Sequence, residues 1–277
     1  SYEKKQYNLT NLIGTFKISP KLKLTTSFSK QEGADMTSFY APSTLWGYGS
    51  TQNGRAERGH TVYNSWTNED YLTYDDKWGN HNLNVVGGVS WYYDQSTFSN
   101  VGTENFFDDF FKYYNLGVGT VRSLAGSGYD DSKMNSYYAR ANYHYDNRYI
   151  LGASFRYDGS SRFGANNKYG FFPSFSAAWV LSNEEFFSSV KPTVENLKLR
   201  MSYGIVGNAG IGNYSTMARY GNSLLPFNKD LHTVVTLQEM SNPDLKWERS
   251  NQFNAGLDLS VFKGRIEFVA DFYNKIT

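Results

Sequence analysis

Four segments of this chain alternate apolar and polar residues over nine to eleven positions. In the clearest one, the odd positions from Tyr149 to Tyr157 are apolar, whereas the even positions from Gly152 to Asp158 carry Gly, Ser, Arg and Asp. A period of two places alternate side chains on opposite faces of a β-strand. One apolar and one polar face suit a wall between lipid and a wet lumen. The alternation therefore predicts an all-β fold, an antiparallel transmembrane β-barrel; the other segments are 171–181, 197–205 and 253–261.

Composition agrees with a barrel but does not select it. Aromatic residues make up 18% of the chain, and Tyr alone occurs 23 times. A barrel needs a thin apolar band with aromatic girdles and a polar interior, which gives such a mixture. A soluble Tyr-rich β-sandwich has the same composition and stays open as an alternative.

Charge and cysteine content exclude several classes. The net charge of +1 offers no electrostatic case for nucleic acid, and the absence of Cys excludes disulfides and Cys-based metal sites. No apolar run is long enough for a membrane-spanning helix, and the first residues contain no signal-peptide core. We expect that an export signal has been removed or that the chain is an internal piece of a longer protein.

The pattern predicts about ten strands whose connections are alternately short and long. Long connections in a compact protein usually have a function, and outer-membrane barrels have long extracellular loops and short periplasmic turns. The turns at Pro20, Asn147 and Lys263 are therefore assigned to the periplasm. The predicted strands are 9–19, 22–30, 60–76, 82–98, 134–146, 149–158, 169–181, 196–206, 247–261 and 265–274, and the predicted long loops are 31–59, 99–133, 159–168 and 207–246.

One short connection differs from a bare turn. Residues 182–190 predict a short helix, capped by Ser182 or Asn183, with Glu184 and Glu185 at the positive end of its dipole. Tyr and Trp prefer the depth of lipid headgroups, so aromatic residues near both ends of the strands predict two girdles. Those near the turns are Trp78, Tyr145, Tyr149, Trp179 and Phe262, and those near the loops are Trp91, Tyr93, Tyr157, Phe171 and Tyr273.

Five segments together resemble one known family: 149–164, 169–179, 197–208, 242–248 (Asn-Pro-Asp-Leu-Lys-Trp-Glu) and 254–259. Their sequence and order are similar to the SusC/RagA family, TonB-dependent outer-membrane transporters of Bacteroidetes. The resemblance implies a barrel of twenty-two strands, of which this chain holds about ten. It implies that residues 1–277 are one β-barrel domain fragment, without the signal peptide, N-terminal extension and plug of the family.

The resemblance also implies a function. Such proteins import a glycan oligosaccharide or a peptide across the cell outer membrane together with a SusD-like surface lipoprotein. The TonB complex acts through the plug, and outer-membrane lipid surrounds the wall. No enzyme activity, cofactor or nucleic acid is expected. One alternative is a soluble or surface-displayed all-β carbohydrate-binding protein. Another is a barrel enzyme such as a lipase, but the four His residues are scattered, which argues against it.

Two groups of residues are candidate sites, and no catalytic or metal-binding group is predicted. The aromatic residues of the first long loop can stack on sugars or contact a partner, although they can equally pack within the loop. Charged residues on the polar face point to the lumen, where they can contact plug or substrate or only water. The loop candidates are Phe39, Tyr40, Trp46 and Tyr48, and the lumen candidates are Arg140, Arg156, Lys198, Arg200 and Asp258.

Overall fold

The computed structural model of this chain describes residues 1–122, 125–227 and 230–277, and strands dominate this part. Within it, no helix is long and apolar enough to cross a membrane. The strands are β1 (Tyr2–Lys17), β2 (Leu22–Ala41), β3 (Arg55–Trp78), β4 (His81–Glu104), β5 (Val121–Arg122), β6 (Gly126–Tyr145), β7 (Tyr149–Ser160), β8 (Tyr169–Val180), β9 (Val194–Asn208), β10 (Arg219–Phe227), β11 (Asp230–Glu239), β12 (Glu248–Val261) and β13 (Ile266–Ile276).

Eleven of these strands form one sheet, in the order β1-β2-β3-β4-β6-β7-β8-β9-β12-β13, with β5 paired to β4. Strands β10 and β11 form a separate two-stranded sheet. From β6 to β13 the main-sheet neighbours are antiparallel. The all-β antiparallel prediction and the number of wall strands are therefore confirmed.

The chain divides into two compact units. Unit 1 comprises 1–12, 28–68 and 92–132, and it holds the long connections between β2 and β3 and between β4 and β6. Unit 2 comprises 13–27, 69–91 and 133–277, and it holds the short connections and all strands from β7 onward. We call the ends of the strands that meet at 79–80, 146–148, 181–193 and 262–265 the turn end, and the opposite ends the loop end.

Several predicted loops are partly strand. Strand β2 continues to Ala41 and β3 begins at Arg55, so most of the predicted loop 31–59 extends the wall. The extension carries polar residues on both faces and thus lacks the apolar alternation by which a strand is found in sequence. The β10–β11 hairpin lies inside 207–246, where a loop was predicted, because these strands also lack a clear apolar alternation.

The turn between β6 and β7 is also one residue earlier than predicted. Asp146 and Asn147 both have positive φ, 51° and 54°, and Arg148 N donates to Tyr145 O at 2.9 Å. Positive φ at both central residues is the hairpin geometry that matches the twist of the strands. The central pair is therefore Asp146-Asn147, because Asp, like Asn, tolerates this conformation.

Strand register gives the wall of unit 2 two different faces. On one face Leu151 is opposite Ala177, and Ala177 is opposite Met201. One residue along, Gly152 is opposite Ser176, and Ser176 is opposite Ser202. Because the same alternation continues on β12, one face is apolar and the other polar across β7, β8, β9 and β12.

A row of rings lies on the apolar face at the turn end of unit 2. Trp78 stacks on His81 with ring centres 5.2 Å apart, and His81 contacts Tyr145 at 4.8 Å. Tyr145 stacks on Tyr149 and Tyr149 on Trp179, each at 6.3 Å. Four of the predicted turn-side aromatic residues thus lie in one continuous row, as a headgroup girdle requires.

The predicted helix at 182–190 is wrong. The structure has two separate 3-10 turns, Leu181–Asn183 and Glu185–Phe187, and neither has a side-chain cap. Glu184 between them is extended, and its carboxylate accepts from Tyr149 OH at 2.7 Å and Trp179 Nε1 at 2.8 Å. These hydrogen bonds, with Arg148 Nη1 at 3.1 Å, lower the pKa of Glu184. Because the Glu184 carboxylate binds two rings of the aromatic row, the Glu184 backbone stays extended and does not form the first turn of a helix.

Candidate functional site

Arg200 on β9 is the centre of an ion-pair group on the polar face. Its Nε lies 3.0 Å from Asp258 Oδ1 on β12, and its Nη2 lies 2.8 Å from Asp271 Oδ1 on β13. Lys198 Nζ lies 3.8 Å from Asp258 Oδ2. The structure therefore brings together three of the five predicted lumen residues. It also adds Asp271, which was not predicted because Val269 and Tyr273 interrupt the polar alternation of β13.

Gly256 leaves room for this guanidinium, because a Cβ at this position would lie 2.6 Å from Arg200 Cζ. Gly256→Ala is expected to displace the Arg200 side chain and to lower the free energy of unfolding by about 0.5–1 kcal/mol, since partly exposed ion pairs contribute little. The measurement is urea unfolding of the assembled protein with and without Arg200→Ala, as a double-mutant cycle. An equal cost of Gly256→Ala in both backgrounds would contradict this account.

The other two lumen candidates lie apart from this group. Arg156 Nε donates to Asp158 Oδ2 at 2.7 Å, and its Nη2 donates to Ser136 Oγ at 2.9 Å. The guanidinium carbon also lies 5.8 Å from the centre of the Tyr138 ring. Among the described residues, Arg140 makes a single, longer hydrogen bond, of 3.4 Å from its Nε to Asn142 Oδ1. Of these two side chains, Arg140 is therefore the one less restrained by its neighbours.

The predicted aromatic loop candidates take different positions in unit 1. Tyr40 is half-buried: its ring meets the 3% exposed Phe106 edge-on at 5.6 Å, and its hydroxyl donates to Asp109. Phe39 is half-buried, whereas Trp46 is 94% exposed. Tyr48 begins the short helix α1 (Tyr48–Thr51), but its side chain lies outside the described residues. Of the three candidates whose side chains the structure describes, Trp46 is the one displayed as the interaction hypothesis needs.

Exposed rings occur on a second loop that the sequence analysis did not select. Phe107 and Phe110 are each 78% exposed, and both meet Phe111 edge-on, at 5.8 and 5.4 Å. We call Phe107, Phe110 and Phe111 the phenylalanine cluster. The signal for it was the run Phe-Phe-Asp-Asp-Phe-Phe at 106–111, a density of apolar rings that a solvated loop does not need.

Asp109 attaches this second loop to the first. Its Oδ1 accepts from Ser43 N at 3.1 Å and its Oδ2 from Ser43 Oγ at 3.0 Å, in addition to the Tyr40 hydroxyl. The hydrogen bond from Tyr40 is the main reason why the pKa of Asp109 lies below its usual 3.8. Burial and the same bond raise the pKa of Tyr40. The phenylalanine cluster is therefore mounted on an ordered support.

The lowered pKa of Asp109 predicts an acid-sensitive loop. The ionised carboxylate stabilises the loop fully at neutral pH, and this contribution is lost as the pH falls through a value below 3.8. A spin label on Phe107→Cys, in a chain with no other Cys, should gain mobility only below that pH. In an Asp109→Asn background the label should be more mobile at neutral pH and insensitive to acid. Equal mobility of both proteins at pH 7 would refute the prediction.

Phe163, Phe172 and Trp247 form a buried core at the loop end of unit 2, with exposures of 2%, 7% and 8%. Phe172 lies on the polar face, because it is opposite Arg156 in the β7–β8 register. Its neighbours Phe163 and Trp247 come from the connections after β7 and before β12. We call these three residues the loop anchor, since they hold two connections against the inner side of the wall.

Polar contacts complete the loop anchor. Trp247 Nε1 donates to Lys168 O at 3.0 Å, and Arg162 donates to Asn213 Oδ1 at 2.7 Å and to Ala209 O at 3.1 Å. Gly164 approaches Pro243 so closely that a Cβ would overlap the Pro243 carbonyl oxygen. The segments 160–164 and 242–248, which the sequence analysis recognised as family motifs, are therefore joined in one structural unit.

In residues 1–122, 125–227 and 230–277, no three His, Cys, Asp or Glu side chains are placed to hold a metal ion. The polar face offers ion pairs, small hydroxyl side chains and amides. Such groups can hydrogen-bond a solute or a neighbouring protein segment.

A two-faced antiparallel wall with an aromatic row at one end and long loops at the other matches a known family. The model described as "TonB dependent receptor-like, beta-barrel" matches residues 2–277. The chain belongs to this family. This TonB-dependent receptor-like barrel is 32% identical over 263 residues to TonB-dependent receptor P3 of Formosa agariphila, covering 95% of the chain and 26% of that protein.

Further relatives agree with the SusC/RagA resemblance, which is thereby confirmed. The barrel is 37% identical over 147 residues to TonB-dependent receptor SusC of Bacteroides thetaiotaomicron, covering 51% of the chain and 14% of SusC. Its fold matches the structure of the RagAB peptide transporter with a TM-score of 0.86 at 24% identity, over 98% of this chain and 30% of that one. The chain thus spans about a quarter of the length of the curated receptor P3.

Proposed function

We propose that the complete protein imports a nutrient, a glycan oligosaccharide or a peptide, across the outer membrane in a TonB-dependent manner. Residues 1–277 then form part of its β-barrel domain. The observation that carries this proposal is the wall of unit 2, with one apolar face, one polar face and an aromatic row at the turn end. Relatives named as TonB-dependent receptors support it. The turn end then faces the periplasm and the loop end faces the medium.

The chain contributes structure rather than bond chemistry in this proposal. The polar face, with Lys198, Arg200, Asp258, Arg156 and Arg140, lines the lumen and contacts the plug or the passing solute. Energy comes from the TonB complex acting outside this chain. The rival function, a soluble or surface-displayed all-β carbohydrate-binding protein, gives no reason for a continuous apolar face exposed on one side of the wall.

Cells that lack the gene, complemented with the full-length protein, provide the test. We expect uptake of labelled oligosaccharides or peptides to depend on the protein and to stop when a protonophore removes the energy source. Surface binding without uptake, or uptake unaffected by the protonophore, would contradict the proposal. A protein released from membranes by alkaline carbonate would instead favour the soluble binding protein.

Exposed rings at the loop end fit contact with a SusD-like lipoprotein. Fully exposed rings on an ordered support are typical of protein interfaces, where a few buried aromatic residues supply most of the affinity. Phe107, Phe110 and Trp46 have this exposure in unit 1. Phe107→Ser with Phe110→Ser should therefore reduce co-purification of the lipoprotein at least tenfold. Phe186→Ser, which removes a 66% exposed ring at the turn end, is the matched control.

A further inference from the structure

Three aromatic rings on the strands of unit 1 are accessible together. Tyr7 of β1 and Tyr63 of β3 meet across β2, with ring centres 6.3 Å apart and ring planes inclined by 32°. Phe98 of β4 is the third ring. Tyr7 is 48% exposed, Phe98 is 51% exposed and Tyr63 is half-buried. We call Tyr7, Tyr63 and Phe98 the ring platform.

The members of the ring platform share one face of the sheet. Trp66 and Tyr93 lie on the other face, where their ring centres are 6.2 Å apart. Tyr63 is three residues from Trp66 along β3, and an odd separation reverses the face of a strand. Phe98 is five residues from Tyr93 along β4, which reverses the face in the same way. Tyr7 joins this face through its contact with Tyr63.

Phe98 is also near Tyr63 along the sheet. A Cβ at Gly59 of β3 would lie 2.6 Å from Thr37 Oγ1 of β2 and 4.0 Å from Ser99 O of β4, so the three strands are neighbours at this level. Because β3 and β4 are joined by the short turn 79–80 and run antiparallel, Phe98 is about three residues, or roughly 10 Å, from the part of β4 beside Tyr63. From β1 to β4 the platform extends over three strand spacings, about 14 Å.

Glycine residues allow two of these rings to lie flat on the sheet. A Cβ at Gly33 of β2 would overlap the Tyr7 ring, and a Cβ at Gly128 of β6 would overlap the Phe98 ring. Glycine in a strand often marks a position where another group must approach the backbone closely. Each ring therefore rests against bare backbone on one side and presents its other side to solvent.

Hydrogen-bonding groups border the ring platform. The Tyr7 hydroxyl donates to Asp35 Oδ1 at 2.7 Å, which restrains the Tyr7 ring. Asn100 lies two residues from Phe98 on the same face of β4. A sugar ring has a face of C–H groups that packs on an aromatic ring and hydroxyl groups at its edge that bond to carboxylates and amides. The platform offers both kinds of contact side by side.

We propose that the ring platform binds consecutive sugar units of the transported solute, which makes that solute an oligosaccharide. This inference rests on the proposed function, in which the polar face of the wall lines the lumen. An extended peptide gains affinity from backbone hydrogen bonds to an open strand edge and from pockets for alternate side chains. The platform is a shallow shelf of ring faces, and Tyr63 and Phe98 lie on strands that are paired on both sides.

The test applies full-length protein, purified in detergent from outer membranes, to an array of plant, algal and bacterial oligosaccharides and to a pool of unrelated peptides. We expect saccharide binding, and calorimetry then gives the affinity for the bound saccharide. Tyr63→Ala and Phe98→Ala should each weaken it roughly tenfold, and so should Gly33→Val, which displaces the Tyr7 ring. Tyr63→Phe keeps the ring and should bind normally. The matched control is Tyr2→Ala, because Tyr2 is 54% exposed on the other face of β1.

Heat-modifiable gel mobility shows that each variant still assembles. The proposal is overturned if no saccharide on the array binds, if the peptides bind instead, or if Tyr63→Ala and Phe98→Ala bind saccharide as tightly as the unaltered protein. Unchanged saccharide affinity with faster proteolysis of the plug in these variants would assign the rings to plug contact. Protonophore-sensitive uptake of peptide without saccharide binding leaves the proposed function standing and rejects the oligosaccharide inference alone. Absence of the unaltered protein from the outer membrane rejects the proposed function itself.

Discussion

Met201→Arg in the full-length protein is expected to impair outer-membrane assembly severely. Met201 lies on the apolar face, opposite Ala177 on β8 and Ala255 on β12 and away from the aromatic row, and its side chain is 53% exposed. A charge near the middle of the lipid-facing band costs about 2–4 kcal/mol in a β-barrel. Heat-modifiable mobility on gels measures the folded fraction, which should fall well below that of the unaltered protein.

Ser202→Arg on the same strand is the control. Ser202 lies on the polar face between Ser176 and Asn254, where an added guanidinium meets water or polar groups. Leu151→Arg and Ser154→Arg repeat the comparison on β7. Equal tolerance of Met201→Arg and Ser202→Arg would reject the membrane-spanning wall, and equal failure would indicate a sheet buried on both faces.

Trp247→Ala is expected to release the connections at the loop end of unit 2. Replacing a buried Trp by Ala typically costs about 3–5 kcal/mol, and here the hydrogen bond to Lys168 O is lost as well. The cost falls on a local unit, because the wall pairing of β7 to β9 does not pass through this ring. Hydrogen exchange should accelerate in 160–168 and 242–247 and remain slow in the strands.

The exposed Trp46 supplies the matched control, since Trp46→Ala removes the same ring without opening a cavity. Phe163→Ala should reproduce the effect of Trp247→Ala, because the two ring centres are 4.9 Å apart. Exchange in 160–168 that stays unchanged in both core variants would show that other contacts hold these connections, and the loop anchor would lose its assigned role.

The loop anchor also links the recognised motifs to transport. Because it holds the connections against the polar face, it fixes the positions from which residues 209–247 leave the wall. In the proposed function these segments surround the entrance to the lumen. A packed aromatic core at an entrance gives a loop a defined starting point while its tip stays free to move.

Local sequence was sufficient for the wall of unit 2. Each segment from Tyr149 to Val261 that alternates in sequence is a strand with one apolar face, because a period of two acts residue by residue. The girdle positions Trp78, Tyr149 and Trp179 followed from the same strand ends. The family motifs that contain Phe163 and Trp247 were also recognised in the sequence. Their packing in one loop anchor was not, since the two residues are far apart in the sequence.

Tertiary structure decided what depends on distant neighbours. Tyr40 and Trp46 look alike in sequence, yet Asp109 and Phe106 from another loop pack against the half-buried Tyr40, whereas Trp46 is exposed. Glu184 was predicted in the first turn of a helix, but hydrogen bonds from Tyr149 and Trp179 hold it extended. The sequence by itself determined the alternating strands of the unit 2 wall, their two faces and the family, because those follow from local alternation and motif. Which loop residues are displayed and which are packed was decided only by contacts between segments far apart in the chain.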